Sequence, residues 1–445
     1  MTEASETRSY GTILVVGGCG FLGSRVVDQL LNFPSEDHVL QQQGDAAASS
    51  EPSSANGAVS SSGGSKAVNG AASHSTTSAF PFPSLRSRYP RTSSSTKVHA
   101  LDLRCTQHIF PGCTYHEGDI TSVENLLQVF RKVKPDVVIN TASPSWEAPA
   151  DILRKVNIDG TRTLLEVAGG KHGDWSGGKG GCKVFVHTSS ASVVHDGESD
   201  LINADERYPL VCPNPREYYS ETKVHAERLA LTANDKEEYN RMLTCAVRPA
   251  GIVGEGDRGG FSGGILNTAK GAPSWQLHIQ LGEGGNLFDN TYVHNVVHGL
   301  LCAATALLQT YQRRQKGGAV ALDYERVDGE AFNVTNDSPA YFWDATRFLY
   351  NGYGRDVRME KVWSIPTGLA SFVGGAAELF NFLSGRKGKL NRQTVKYAVI
   401  HRYYSCEKLK ARTGYRPLVE IDEGLARAVW EFKEGERLER EKKGQ

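Results

Sequence analysis

The chain has 445 residues, and its 50 Lys+Arg balance 50 Asp+Glu to a formal net charge of +0. That balance gives no electrostatic footprint for nucleic acid, and the length is enough to bury a large core spread over two lobes. No two of the 8 cysteines fall at C-x-x-C spacing, so neither a zinc site nor a disulfide framework is expected, and reduced thiols on the cytosolic side are. The polar N-terminus shows no secretory pattern, and no run of about 20 uninterrupted apolar residues marks an ordinary transmembrane helix.

The first element pair is ILVVGGCGFLGSRVVDQLL, residues 13–31. An apolar strand breaks at Gly17, Gly18, Gly20 and Gly23, and a helical stripe of Leu22, Val26, Val27, Leu30 and Leu31 follows. Strand, glycine turn and helix is the layout that lays a dinucleotide pyrophosphate on a helix N-terminus. Gly17 permits the turn, Gly20 lets backbone N–H groups reach the phosphates, and Gly23 lets the helix pack on the strand. Phe21 and Leu22 open the helix beside them and join the cofactor set. The spacing is G-x-x-G-x-x-G, and glycines alone would fit a plain turn; the flanking strand and helix favour a nucleotide.

Residues 41–97 are dominated by Ser, Ala and Gly, with almost no aliphatic content before Phe80. Such a segment buries too little apolar surface to offset its ordering entropy, so it reads as a disordered low-complexity insert. Beyond it, strands are expected at 97–101, 114–117, 136–141, 183–188 and 243–248, and helices at 122–133, 152–168 and 219–232. A smaller Gly-rich loop, 169–181, interrupts one helix-to-strand link. Alternation of this kind predicts an α/β protein with a Rossmann-type doubly wound parallel sheet, helices on both faces, and ligands over the carboxyl ends of the strands.

The chemistry-bearing residues fall at those ends. Asp102, closing VHALDLR, is placed to accept from the adenosine ribose hydroxyls and to repel a 2′-phosphate, which favours NAD. Arg104 leaves NADP open, and a surface aspartate at a loop start is the plain alternative. Asp119 and Ile120 follow the next strand, for the adenine amino group and ring; helix N-capping by Asp119 or Thr121 competes with that role. Thr141, Ala142 and Ser143 in NTASP leave room for the cofactor, or form an ordinary strand-end turn. Asn157, in KVNIDGTRTLLEVA, is expected to order a water leading to Lys223.

The decisive group comes after KVFVHTSSASVV, where a helix opens with EYYSETKVHAE. Tyr219 and Lys223, four apart, share one helix face. A phenol of ordinary pKa near 10 is a poor base at neutral pH; a neighbouring cation favours phenolate. Tyr219 then exchanges a proton with a substrate hydroxyl while hydride moves to the nicotinamide. Lys223 also holds the nicotinamide ribose, and Ser190 hydrogen-bonds the substrate oxygen. Y-x-x-x-K alone is common by chance; its weight comes from its place in this βα alternation.

GGCGFLG, GDI, NTASP, VNIDGT, TSSASVV, YYSETK and VRPAGIVGEGD, in that order over residues 12–260, resemble the extended short-chain dehydrogenase/reductase family. TYVHNVVHG (291–299) and AFNVTND (331–337) extend the match. The wording is most similar to the 3β-hydroxysteroid dehydrogenase branch, and within it to the fungal decarboxylating C-3 sterol dehydrogenases. The resemblance implies Ser190, Tyr219 and Lys223 as the catalytic set and Pro249 to Ile252 bordering the nicotinamide, with Pro249 and Ile252 as cofactor contacts. It implies NAD(P)-dependent oxidation of the 3β-hydroxyl of a sterol 4α-carboxylate with loss of CO2, in C-4 demethylation. It also implies a peripheral place on the cytosolic face of the endoplasmic reticulum membrane, and a homodimer or membership of a sterol-demethylation complex. Val16, where a threonine is common, and the insert depart from the family pattern. A 3β-hydroxysteroid dehydrogenase/isomerase, a triterpenoid tailoring enzyme, a nucleotide-sugar epimerase and a non-catalytic nucleotide sensor are the alternatives. Arg216 and Arg258 are the arginines considered for a substrate carboxylate, without a motif to fix either.

Residues 1–260 are thus expected to form the cofactor domain and 261–445 a substrate lobe. Within the latter, 363–383 reads as an apolar helix with Leu369, Phe372, Val373, Ala376, Phe380 and Leu383 on one stripe and a basic flank from Arg386 on. That pattern suits an interfacial membrane contact or a buried helix lining the substrate lobe; either fits an apolar, sterol-like substrate.

Overall fold

A computed structural model gives the structure of the protein and describes residues 7–33, 81–178, 180–214, 216–319, 321–369, 372 and 392–444. Seven strands build the main sheet: β1 (Thr12–Val16), β2 (Lys97–Asp102), β3 (Cys113–Glu117), β4 (Val137–Asn140), β5 (Val184–Thr188), β6 (Leu243–Pro249) and β7 (Ala331–Val334). They lie in the order β7-β6-β5-β4-β1-β2-β3, and every neighbouring pair is parallel. The strand order reverses between β1 and β4, and the crevice over their carboxyl ends is the switch point where ligands bind in such sheets.

The sheet is buried on both faces, so its strands are continuous apolar runs. Ile13, Leu14, Val15 and Val16 of β1 are fully buried. Ile13 and Val15 pack with α1 (Phe21–Leu30) through Val26, Val27 and Leu30, and with Val296, Val297 and Leu300. Leu14 and Val16 point the other way, into Leu126, Val129 and Phe130 of α2 (Val123–Val133) and Leu164 and Leu165 of α3 (Thr161–Ala168). Burying one such side chain contributes about 1.5–3 kcal/mol. Next in the chain come α4 (Tyr218–Thr232), α5 (Phe261–Gly271), α6 (Val293–Gln315), α7 (Phe342–Tyr353) and α8 (Ile421–Lys443).

Four expectations change. The helix expected over 152–168 starts at Ala150–Leu153 and passes through a π-helical stretch, Arg154–Gly160, before α3. Such bulges are frequent at functional sites, and Asn157 sits in this one. The lobes also interleave across residue 260. β7 and α6 belong to the main sheet and its cover, whereas Leu201–Ala204 joins a small four-stranded sheet with Ala340–Tyr341, Leu287–Phe288 and Arg402–Tyr404. Chain position alone does not separate the lobes, because an edge strand's unpaired N–H and C=O groups can be met by a strand from anywhere in the chain.

The third change concerns the insert. Residues 81–97 are folded: Arg91–Thr92 pairs in parallel with Thr7–Arg8, Tyr89 is buried, Arg88 pairs with Glu423 at 2.7 Å, and Arg427 donates to the Pro83 carbonyl at 2.8 Å. The reason is compositional, since Phe82, Leu85 and Tyr89 supply the apolar area that the Ser/Gly stretch lacks. The remainder of the expected insert, 41–80, lies outside the described residues, as does 373–383 of the expected apolar helix. Trp363–Ile365, at that helix's predicted start, is instead a strand paired with Ile279–Leu281. Pro366 explains this, because the residue before a proline is pushed to extended backbone. Among the described residues no helix is long and apolar enough to cross a membrane, no group of three metal-ligating side chains occurs, and none of the eight cysteines is in a disulfide.

Candidate active site

The site is built from the switch point outward. β1 ends in a turn where Gly17 takes φ +80° and a Cβ would lie 2.8 Å from the Ala142 nitrogen. At Gly23 a Cβ would lie 2.0 Å from the Gly17 carbonyl oxygen, so only glycine lets α1 approach this closely. Gly20 is the N-cap of α1; it supplies no side-chain cap, and the first turn holds no acidic residue. The first N–H groups and the positive end of the helix dipole are therefore left for an anion. Phe21, Leu22 and the three glycines line one cavity of about 830 Å³ over the carboxyl ends of the strands.

Asp102, Asp119, Ile120, Thr141, Ala142, Ser143, Ser190, Tyr219, Lys223, Pro249 and Ile252 line the same cavity. Asp102 already accepts from Cys19 N at 3.0 Å and Leu103 N at 2.8 Å. A carboxylate has about four lone-pair sites, so the glycine turn and a diol can share it. Arg104 is exposed and lies outside the lining. Asp119 Oδ1 accepts from both the backbone and the hydroxyl of Thr121 at 2.8 Å. The helix cap is Ser122, which accepts from Asn125 N, rather than Asp119 or Thr121: the chain turns one residue later than expected.

Asn157 is buried and does not reach the cavity wall. It accepts from Ser143 Oγ at 3.0 Å and donates to Thr222 Oγ1 at 3.0 Å, fastening the end of β4 to α4. Lys223 Nζ donates to the Thr188 carbonyl at 3.1 Å. Arg216 and Arg258 are engaged on the surface, with Glu198 and Glu431.

Tyr219 lies in the first turn of α4 and Lys223 one turn on, its Nζ 5.8 Å from the phenol ring centroid. Burial pushes Tyr219 up to about 12; the Ser143 and Ser190 hydroxyls offset part of this and the Glu217 charge adds to it. Burial also pushes Lys223 down to about 8. In the chain alone desolvation is the dominant influence on the phenol.

Sequence reasoning passed over several lining residues. Glu217 precedes the motif, and Phe261, Phe288, Asp289, Tyr397, Arg402 and Tyr404 come from the second lobe. Arg402 lies over the rings of Phe288 and Tyr397, at 5.9 and 5.2 Å from their centroids, and its Nε donates to Tyr404 Oη at 3.1 Å. Asp289 is buried, is pushed up to about 7 by desolvation, and accepts from Tyr404 N at 2.7 Å. No motif marked these residues; their meeting depends on the interleaved topology.

The profile of the 3-beta hydroxysteroid dehydrogenase/isomerase family matches residues 88–367. The sterol-4-alpha-carboxylate 3-dehydrogenase, decarboxylating, of Saccharomyces cerevisiae is 34% identical over 322 residues, 72% of this chain and 83% of that protein. The mouse protein of the same name is 32% identical over 72% of this chain and 80% of its own length. Among solved structures, UDP-glucose 4-epimerase from Thermotoga maritima with UDP-glucose superposes with TM-score 0.57 at 17% identity, covering 95% of this chain and 99% of that one. The dTDP-glucose 4,6-dehydratase of Bacillus anthracis in complex with NAD does so with TM-score 0.54 at 16% identity, covering 96% and 97%. At these identities the two structures speak for the fold alone.

Proposed function

The chain belongs to the 3-beta hydroxysteroid dehydrogenase/isomerase family, and from that premise we propose that it oxidises the 3β-hydroxyl of a sterol 4α-carboxylate, with loss of CO2, in sterol C-4 demethylation. One observation carries the reading. The uncapped glycine turn and the Ser190, Tyr219 and Lys223 side chains face one cavity, closed by the apolar wall of Phe261, Phe288, Tyr397 and Tyr404. The first half suits a dinucleotide and the second a flat apolar substrate.

The glycine turn, Asp102 and Ile120 would hold a nicotinamide dinucleotide, which when bound supplies the hydride acceptor. The chain's own residues do the rest. Ser190 Oγ fixes the 3-oxygen, Tyr219 Oη takes its proton as the carbon-bound hydrogen leaves with two electrons, and Lys223 orients the cofactor ribose. The product is a β-keto acid. Its ketone accepts the electron pair of the breaking C4–carboxyl bond, so CO2 leaves with no further catalytic group. The Arg402 guanidinium gives the second lobe's wall a positive charge to meet the carboxylate.

Following nicotinamide absorbance with sterol 4α-carboxylates, plain 3β-hydroxysteroids and nucleotide sugars tests the reading. Net reduction with the sterol acids is expected; turnover of the sugars alone would overturn it. We assign NAD rather than NADP, because Asp102 faces the cavity and Arg104 does not. Asp102→Asn, which removes the charge and keeps the shape, should narrow the preference for NAD+ about tenfold, or about 1.4 kcal/mol, measured as the ratio of the two cofactors' kcat/KM.

We also place the protein peripherally on a membrane, at the cytosolic face of the endoplasmic reticulum. Trp275, Trp363, Leu369 and Phe372 are exposed, the two tryptophans by 68% and 76%, and the pairing of Ile279–Leu281 with Trp363–Ile365 brings their segments together. Aromatic rings of this kind sit at the headgroup level. Replacing both tryptophans by serine should cut co-sedimentation with anionic phospholipid vesicles several-fold while leaving the melting temperature unchanged; wild-type protein that stays in the supernatant would sink the assignment.

A further inference from the structure

Two cations stand in the cavity wall, Lys223 and Arg402. Lys223 Nζ is engaged by the Thr188 carbonyl. Arg402 comes from the second lobe, on the strand Arg402–Tyr404 of the small four-stranded sheet. Its Nε donates to Tyr404 Oη at 3.1 Å, and the Phe288 and Tyr397 rings lie 5.9 and 5.2 Å from the guanidinium. Its two Nη groups make no hydrogen bond or ion pair with the described residues. The acidic residues beside this strand are engaged elsewhere. Glu217 accepts from Tyr397 Oη at 2.8 Å and from Ser220 Oγ at 2.5 Å, and Asp289 Oδ2 accepts from Tyr404 N at 2.7 Å.

A guanidinium has five N–H donors in a planar fork and keeps its charge at any working pH. Tyr404 takes one donor here and the two rings flank the plane, so the fork is held while its Nη end is left for a ligand. Arg402 is partly exposed, so water satisfies those donors in the empty site. A carboxylate can replace that water with two parallel charge-assisted bonds. A neutral sterol would displace the water and return no acceptor, which leaves buried donors unpaired and opposes binding.

We propose that Arg402 selects acids over neutral sterols and releases the product: its Nη groups clamp the 4-carboxylate, and loss of CO2 removes the group they hold. This deepens the dehydrogenase reading above and rests on it. The alcohol and the acid sit on adjacent carbons, so Ser190 and Tyr219 take the first while the second lobe takes the other. Tyr397 joins the two sides, its ring against Arg402 and its hydroxyl on Glu217, two residues before Tyr219. After hydride transfer the C4–carboxyl bond breaks and its electron pair moves to the 3-oxygen, which takes back the proton that Tyr219 removed. A proton shift from that oxygen to C4 completes the ketone, and CO2 departs neutral. The negative charge that held the acid no longer exists, and water returns to the fork. Substrate thus carries a handle that product lacks, and the reaction itself removes it. Arg402 moves no proton or electron; it determines specificity.

Arg402→Gln, which removes the charge, and Arg402→Lys, which keeps it as a single point, test this with NAD+, a sterol 4α-carboxylate and the same sterol lacking the carboxyl group. Wild type should favour the acid in kcat/KM on the order of a hundredfold. Arg402→Gln should bring that ratio close to unity, and Arg402→Lys should fall between. Binding of the acid and of the 3-ketone product without cofactor is read from quenching of tryptophan fluorescence, since Trp146 lines the cavity. The ketone should bind wild type on the order of a hundredfold more weakly than the acid, and the two constants should converge in Arg402→Gln. An NAD+-induced rise in melting temperature like that of wild type shows that a variant folds; should Arg402→Gln fail this, Arg402→Lys decides, and an undiminished preference for the acid there overturns the proposal. A wild type without the preference, or an Arg402→Gln that keeps it, overturns selection by Arg402 and leaves the dehydrogenase reading intact. A wild type that reduces NAD+ with neither sterol overturns that reading and the proposal with it.

Discussion

Tyr219→Phe should abolish turnover while sparing cofactor binding. Phenylalanine keeps the ring against Lys223, whose Nζ lies 5.8 Å from its centroid, and the backbone bond from Thr222 Oγ1 to the Tyr219 carbonyl at 2.7 Å is untouched. What disappears is the one oxygen that faces both Ser190 and the substrate. Loss of a positioned general base costs typically 10²–10⁴-fold, or roughly 3–5 kcal/mol of barrier at 1.36 kcal/mol per decade, and kcat should fall by that much. Wild-type kcat/KM for oxidation should rise with pH. The phenol is held up at about 12, so its proton leaves more readily as pH climbs, whereas the reverse reduction needs that proton and should fall. In Tyr219→Phe the residual rate should lose this slope. Dissociation constants from NADH fluorescence should change less than threefold, and retained turnover would sink the mechanism.

What could be read from the sequence was local. The glycine turn, the five expected strands and the Tyr219–Lys223 pair each follow from patterns within about 20 residues, because short apolar runs mark buried strands and the 3.6-residue period marks helix faces. The misjudged features depend on neighbours far along the chain. Residues 81–97 looked like insert until Tyr89 met His294 and His298 of α6, with ring centroids 6.1 and 5.7 Å away. The loop over 169–181 does interrupt the link as expected, but its packing was not legible: Trp175 is buried edge-on against Phe130 at 5.1 Å and its Nε1 donates to the Val167 carbonyl at 2.6 Å. Asn157 was legible as important and illegible as to partner, since the π-helical turn that aims it at Ser143 and Thr222 leaves no mark in the hydrophobic period. Glu217 directly precedes the helix that carries Tyr219, and its place in the cavity wall emerges only once α4 lies beside β5.

Glu227→Gln should be among the most destabilising single changes in the protein. Glu227 and Arg248 are buried beneath the site, with side chains 0% and 5% exposed. The guanidinium grips the carboxylate with Nε to Oε2 at 2.8 Å and Nη2 to Oε1 at 2.5 Å, and Ser189 Oγ donates to the same carboxylate at 2.6 Å. Arg248 Nη1 has no partner among the described residues, so the pair is already barely compensated. Removing the negative charge leaves a buried guanidinium unpaired, which costs about 3–5 kcal/mol. At roughly 2 °C per kcal/mol for a large domain, the apparent melting temperature should drop by about 6–10 °C. The exposed pair Arg241–Glu237, 57% and 84% exposed, gives the contrast: Glu237→Gln should change stability by less than about 1 kcal/mol. Replacing both buried partners, Glu227→Leu with Arg248→Met, should recover much of the loss, because apolar substitutes carry no desolvation penalty. It should not recover activity to the same degree. Ser189 immediately precedes Ser190, and Arg248 immediately precedes Pro249, so this ion pair fixes two walls of the cavity at once. Stability restored with kcat still depressed would separate the pair's work in holding the fold from its work in aiming Ser190 at the substrate oxygen; full recovery of both would assign it to stability alone.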